Sequence, residues 1–130
     1  MEDENGCLGS LKTSLANNMK TLFEKIIDRE LEADIVAESE GLIAIKDKYP
    51  KAPVHLLIIT KKPITNLANL TKEDLPLIAD VVIMAQELAK EFSISDNFRL
   101  LTNNGPLAGQ SVFHLHFHLI GGKKLDFETN

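Results

Sequence analysis

The chain has 130 residues, enough for one sizeable hydrophobic core and too few for two ordinary ones. A formal net charge of -5, with no dense Lys/Arg stripe, argues against gripping long nucleic acid, whose affinity comes mostly from neutralised phosphates. It leaves open a single nucleotide held by a few local donors.

Cys7 is the one cysteine and cannot close an internal disulfide. The longest apolar runs fall far short of the roughly 18 residues a membrane span needs. The acidic opening Met1-Glu2-Asp3-Glu4 is the reverse of a basic signal peptide. A cytoplasmic protein without a membrane partner is expected.

Residues 1–20 read as a polar, flexible lead-in and 21–130 as one domain. Thr21-Leu-Phe-Glu24 fits a capping box, and Leu22, Phe23, Ile26 and Ile27 then fall on one side of a short helix. Ala33–Glu38 and Leu42–Lys46 read as strands joined by a turn at Glu40-Gly41. Residues 47–53 carry Pro50 and Pro53 and read as a loop, followed by the apolar strand Val54–Thr60. Residues 61–71 form a connection.

Leu75, Ile78, Val81, Val82, Ala85, Leu88, Ala89 and Phe92 recur at helical spacing, predicting a long amphipathic helix that ends near Glu91. Pro76 is compatible only with its first turn, which makes Asp74 the N-cap and puts Thr71 in a preceding turn. Phe98–Thr102 reads as a strand, Asn103–Gly109 as a Gly/Pro loop and Ser111–Ile120 as the last strand, ended by Gly121-Gly122. This order predicts an α+β domain: a five-stranded antiparallel sheet with two helices packed on it.

Chemistry concentrates in Ser111-Val-Phe-His-Leu-His-Phe-His-Leu-Ile120. Alternation on a strand puts His114, His116 and His118 on one face, roughly 6–7 Å apart, with Leu115, Phe117 and Leu119 on the other. Three readings compete. The histidines could lie on a solvated sheet face. They could bind a metal, with His55 as a further ligand or its support. Or they could perform acid–base and nucleophilic catalysis, since imidazole titrates near neutral pH.

The preceding loop favours catalysis. Gly105 and Gly109 let backbone amides approach a ligand, amides after such a turn can form an anion-binding nest, and Asn103, Gln110 and Ser111 add neutral donors. Taken alone, this loop would be a plain turn.

The segment Gly109-Gln-Ser-Val-Phe-His-Leu-His-Phe-His-Leu-Ile-Gly-Gly122 resembles the signature of the histidine-triad (HIT) family, and its Gly-Gly ending resembles the Hint branch. Thr21–Glu30 is similar to the Hint opening helix. Asp47 through Ile59, with Ala52-Pro53-Val54-His55, is similar to its central loop and strand. The resemblance covers about residues 21–122.

It implies an α+β domain pairing into a homodimer, and a metal-free, cofactor-free hydrolase. This would cleave P–N bonds of purine nucleoside phosphoramidates, such as AMP-amine or AMP-lysine. His116 would be the nucleophile that forms a nucleotidyl-histidine, and His118 would contact the phosphate. His114 and His55 would orient and polarise the site. Asn103, Gly109, Gln110, Ser111 and Val112 would lie near phosphate and leaving group. Asp47 would bind the ribose hydroxyls, although a loop-capping Asp reads equally well. Leu22, Phe23, Ile26 and Ile45 would line the base pocket, with ordinary core as the competing role.

Alternatives are a dinucleoside polyphosphate hydrolase or nucleotidyl transferase with the same intermediate, or a non-catalytic nucleotide- or zinc-binding protein. Glu32 stands where Hint proteins usually carry Pro, and Phe113 where Tyr is common. The tail 123–130 lacks the Trp seen in some relatives.

Overall fold

A computed structural model describes residues 20–126; the lead-in expected over residues 1–20 lies almost wholly outside them. Helix α1 spans Leu22–Ile27 and helix α2 Leu75–Glu91. The strands are β1 (Ile35–Glu38), β2 (Leu42–Lys46), β3 (Val54–Thr60), β4 (Phe98–Leu101) and β5 (His116–Gly121). They form one five-stranded sheet in the order β1-β2-β3-β5-β4, with every neighbouring pair antiparallel.

The two sheet faces have different covers. Leu42, Ala44, Leu56, Ile58, Phe117 and Leu119 point to one face, where α2 packs with Val81, Met84, Ala85, Leu88 and Ala89. Ile43, Ile45, Leu57 and Ile59 point to the other, where Phe23 and Ile26 of α1 close a smaller core. A six-residue helix covers only part of that face. The strip beside it, along β3 and β5, is where His55, His116 and His118 project, since His116 pairs with Ile59 and His118 with Leu57 in register.

Local signals explain the helix ends. Thr21 accepts from the Glu24 amide while Glu24 reaches back to the Thr21 amide, so the expected capping box is present. Asp74 stands at the N-cap position of α2 with its carboxylate turned back to Thr71 and Lys62, Pro76 sits in the first turn, and Thr71 opens the short 3-10 turn Lys72–Asp74 before it. Each helix ends in a Schellman-type turn with a left-handed residue other than glycine: Arg29 at φ 63° and Ser93 at φ 61°. Among the described residues no helix is long and apolar enough to cross a membrane.

The last strand departs from expectation. It begins at His116, five residues after Ser111. Residues 112–114 bend instead of pairing. The Leu115 amide donates to the Ile64 carbonyl at 2.6 Å, off the β3 ladder, and the Gln110 side chain grips the Val112 carbonyl. His114 therefore leaves the strand row. Its ring turns inward and is 1% exposed.

Candidate active site

Each imidazole is held by partners that fix which nitrogen carries its proton. His116 Nδ1 lies 2.7 Å from the His114 carbonyl, which can only accept, so Nδ1 is protonated and Nε2 keeps a bare lone pair. The Thr102 hydroxyl donates to the His116 carbonyl at 2.7 Å and clamps its backbone. Phe23 packs edge-on against the His116 ring at 4.8 Å.

His55 accepts the Lys51 amide at Nδ1 (3.0 Å), so its proton sits on Nε2. That proton faces His118 Nδ1 at 2.9 Å and Asp47 Oδ2 at 3.3 Å. His118 is thereby protonated at Nε2, on the far side of its ring. The His116 and His118 rings are 5.2 Å apart, as are those of His118 and His55. The result is a row of three neutral imidazoles, His116–His118–His55, ending on a carboxylate. One end presents a lone pair and the middle ring presents an N–H.

Burial keeps the row neutral. It pushes His116 below the ordinary imidazole value, opposed by the hydrogen bond to the His114 carbonyl. His118 is pushed down to about 4 by burial, reinforced by His116 and His55. His55 is lowered by burial against the pull of Asp47, with the Lys51 charge adding to the lowering.

Asp47, His55 and His118 bring ligand atoms within 4.8 Å of one another, close enough to consider a cation. The donor set does not fit one in this arrangement. Because the Lys51 amide occupies Nδ1 of His55, a metal on Nε2 would need the imidazolate, or that amide turned away.

The loop before the strand holds its own amides. Gly105 (φ 93°) and Gly109 (φ 99°) adopt backbone conformations that suit glycine, framing a 3-10 turn at Pro106–Ala108. The N–H groups of Gly105, Ala108, Gly109 and Gln110 all bond within this loop. In place of the expected side-chain donor, Gln110 is a buried staple. Its Oε1 accepts from Gly105, and its Nε2 donates to the carbonyls of Thr65 (2.8 Å) and Val112 (3.1 Å). Among the described residues the amides of Ser111, Val112 and Phe113, immediately before the histidines, have no internal partner, and neither do those of Asn103, Asn104, Leu107 and His114 around them. The exposed Ser111 sits there, and Asn103 lies beside Gly109.

Other expected positions divide. Phe23, Ile26 and Ile45 are buried in the small core under α1, whereas Leu22 is 49% exposed and offers surface. Asp47 also caps its own loop, accepting from the Tyr49 amide at 2.8 Å. Sequence reasoning missed Lys51, Thr60 and Thr102. All three act through backbone groups or a lone hydroxyl, which leave no residue-type pattern; the Thr60 carbonyl receives His114 Nε2–H at 2.6 Å.

Residues 28–125 match the HIT domain family. The chain belongs to the HIT family. A HIT-like protein of Chlamydia pneumoniae is 50% identical over 105 residues, covering 81% of this chain and 96% of that one. Two plant HIT relatives are less similar. The Zea mays 14 kDa zinc-binding protein is 36% identical, covering 82% of this chain and 85% of its own. The Arabidopsis thaliana adenylylsulfatase HINT1 is 34% identical, covering 82% of this chain and 74% of its own.

Among solved structures, a HIT family hydrolase from Legionella pneumophila superposes with a TM-score of 0.82 at 37% identity, covering 85% of this chain and 100% of that one. One from Clostridium thermocellum gives 0.80 at 43% identity, with 83% and 95% covered. The five-stranded HIT architecture, with both helices, is thus shared with proteins described as hydrolases.

Proposed function

We propose that this HIT domain is a nucleotide hydrolase of the phosphoramidase type, cleaving P–N bonds of purine nucleoside phosphoramidates through a nucleotidyl-His116 intermediate. One observation carries the reading: the His114 carbonyl holds the proton of His116 on Nδ1, leaving Nε2 as an uncharged nucleophile at neutral pH. Likeness to HIT family hydrolases supports it at the level of hydrolysis.

Nε2 attacks the α-phosphorus as the P–N bond breaks, and the bond pair leaves on nitrogen. As the P–N bond pair arrives on nitrogen, that nitrogen becomes strongly basic and takes a proton from water, so the group departs as a neutral amine. Positive charge then develops on the His116 ring, and the His114 carbonyl is already placed to receive it. His118 Nε2–H and the amides of Ser111 and Val112 are donors for the non-bridging phosphate oxygens. Water then displaces His116 from phosphorus and gives up a proton to solvent, regenerating the imidazole. Asp47 is assigned to the ribose hydroxyls, and the exposed Leu22 to the purine.

We assign a homodimer on the exposed Leu75, Val82 and Ile83 of α2 and the open edge of β4. A monomer mass in sedimentation at micromolar concentration would remove that part of the proposal.

The test is a panel of AMP-amine, AMP-lysine, adenylyl sulfate and dinucleoside polyphosphate substrates with wild type and His116→Ala. The amides should be cleaved fastest, and the variant should bind AMP without turning anything over. Faster cleavage of adenylyl sulfate, the chemistry in the name of the Arabidopsis relative, would reassign the leaving group and keep the intermediate. Turnover by His116→Ala would end the proposal.

A further inference from the structure

His114 is the histidine whose ring the site does not use directly. It is 1% exposed, it stands off the strand row, and both its nitrogens are engaged inside the protein. Its Nε2–H donates to the Thr60 carbonyl at 2.6 Å. Its Nδ1 therefore carries a lone pair, and the group facing it is the Thr21 hydroxyl at 3.3 Å. Thr21 Oγ1 also accepts the Glu24 amide at 3.1 Å as the N-cap of α1. A hydroxyl can do both at once, accepting on oxygen and donating its hydrogen. On the other side, the His114 carbonyl holds the Nδ1 proton of His116.

We propose that Thr21 is a positioning residue for His116: its hydroxyl donates to His114, fixes that ring's tautomer and orientation, and so sets the carbonyl that keeps His116 Nε2 bare. The inference rests on His116 being the reacting group. The chain of contacts runs Thr21 hydroxyl, His114 ring, His114 carbonyl, His116 Nδ1, and the Thr60 carbonyl pins it in the middle. Phe23, two residues into the same helix, touches both rings, at 6.2 Å from His114 and 4.8 Å from His116. The first turn of α1 thus packs the pair of imidazoles with Phe23 and sets their protons with Thr21. This gives the short helix a task besides covering the minor core.

A cap and a hydrogen-bond donor can be separated by choice of side chain. Ser at position 21 keeps both roles. Asp is as good an N-cap but, ionised, only accepts. Val keeps the shape and loses both. Thr21→Ser should match wild type in melting temperature, kcat and KM. Thr21→Asp should match it in melting temperature and KM while kcat falls about tenfold, the size of a lost orienting contact. Thr21→Val should lose both stability and kcat.

A readout independent of turnover is the nitrogen NMR spectrum of the histidines. Wild type and Thr21→Ser should show His114 protonated at Nε2 alone and His116 at Nδ1 alone. Thr21→Asp should show His114 protonated at both nitrogens, because a carboxylate then faces Nδ1. Thr21→Val should show mixed His114 tautomers.

A Thr21→Asp protein with wild-type kcat and an unchanged His114 spectrum would overturn the proposal and leave Thr21 as a helix cap only. Should wild type fail to cleave any substrate in the panel, the reading of the reaction fails, and the NMR arm still decides the tautomer relay.

Discussion

Acid should loosen this protein through His118 in a calculable way. The ring is neutral when folded, with a value pushed down to about 4 from the ordinary 6.5. Above pH 6.5 neither state is protonated there, and the stability is fully present. As pH falls, the unfolded chain takes up a proton that the folded chain refuses until about 4, so stability is lost across that window. The gap corresponds to roughly 3 kcal/mol at about 1.36 kcal/mol per unit, a large part of a small domain's stability. His55 and His116 are lowered too and add in the same direction. The assay is urea unfolding of wild type and His118→Asn from pH 7.5 to 4. Asn offers an acceptor to His55 but does not titrate, and the carboxylates common to both proteins cancel in the difference. Wild type should lose about 3 kcal/mol more than the variant over that range. A constant or widening advantage for wild type as pH falls would show that the folded state accepts the proton readily, and the neutral row would be wrong.

Turnover should have an acid limb below the ordinary imidazole value, because protonating Nε2 of His116 removes the nucleophile and burial disfavours that proton; a limb above pH 6.5 in a pH–kcat/KM profile would contradict this. Gln110→Glu removes both donors to the Thr65 and Val112 carbonyls. It should cost about 2 kcal/mol or more in urea unfolding and raise KM, whereas wild-type stability would refute the staple. Dialysis against a chelator should leave activity intact, and loss restored by added zinc would show that the His55 tautomer yields to metal.

Much of the fold was legible because its signals are local. The Thr21–Glu24 box, the pairing segments Leu42–Lys46 and Val54–Thr60, and the Asp74–Pro76 helix start all follow from neighbouring residues, and each stands where the pattern puts it. The strand expected from Ser111 shows where local pattern stops. Alternation of apolar and imidazole side chains reaches back through Leu115 and His114 to Phe113, but the competing bonds there come from Ile64 and Gln110. No period within the segment encodes those contacts. Of the candidate site, the motif marks out the histidines that meet. It does not reveal the inward turn of His114, or the backbone carbonyl and Lys51 amide that choose the tautomers, because those choices are made by groups every residue carries.

The most direct measurement is rapid-quench mass spectrometry of the wild-type protein mixed with an adenosine phosphoramidate. A single nucleotidyl group should appear transiently on the peptide carrying residues 112–122, localise to His116 on fragmentation, and vanish as AMP forms. Steady turnover with no adduct at any time, or an adduct on another residue, would contradict nucleophilic attack by His116.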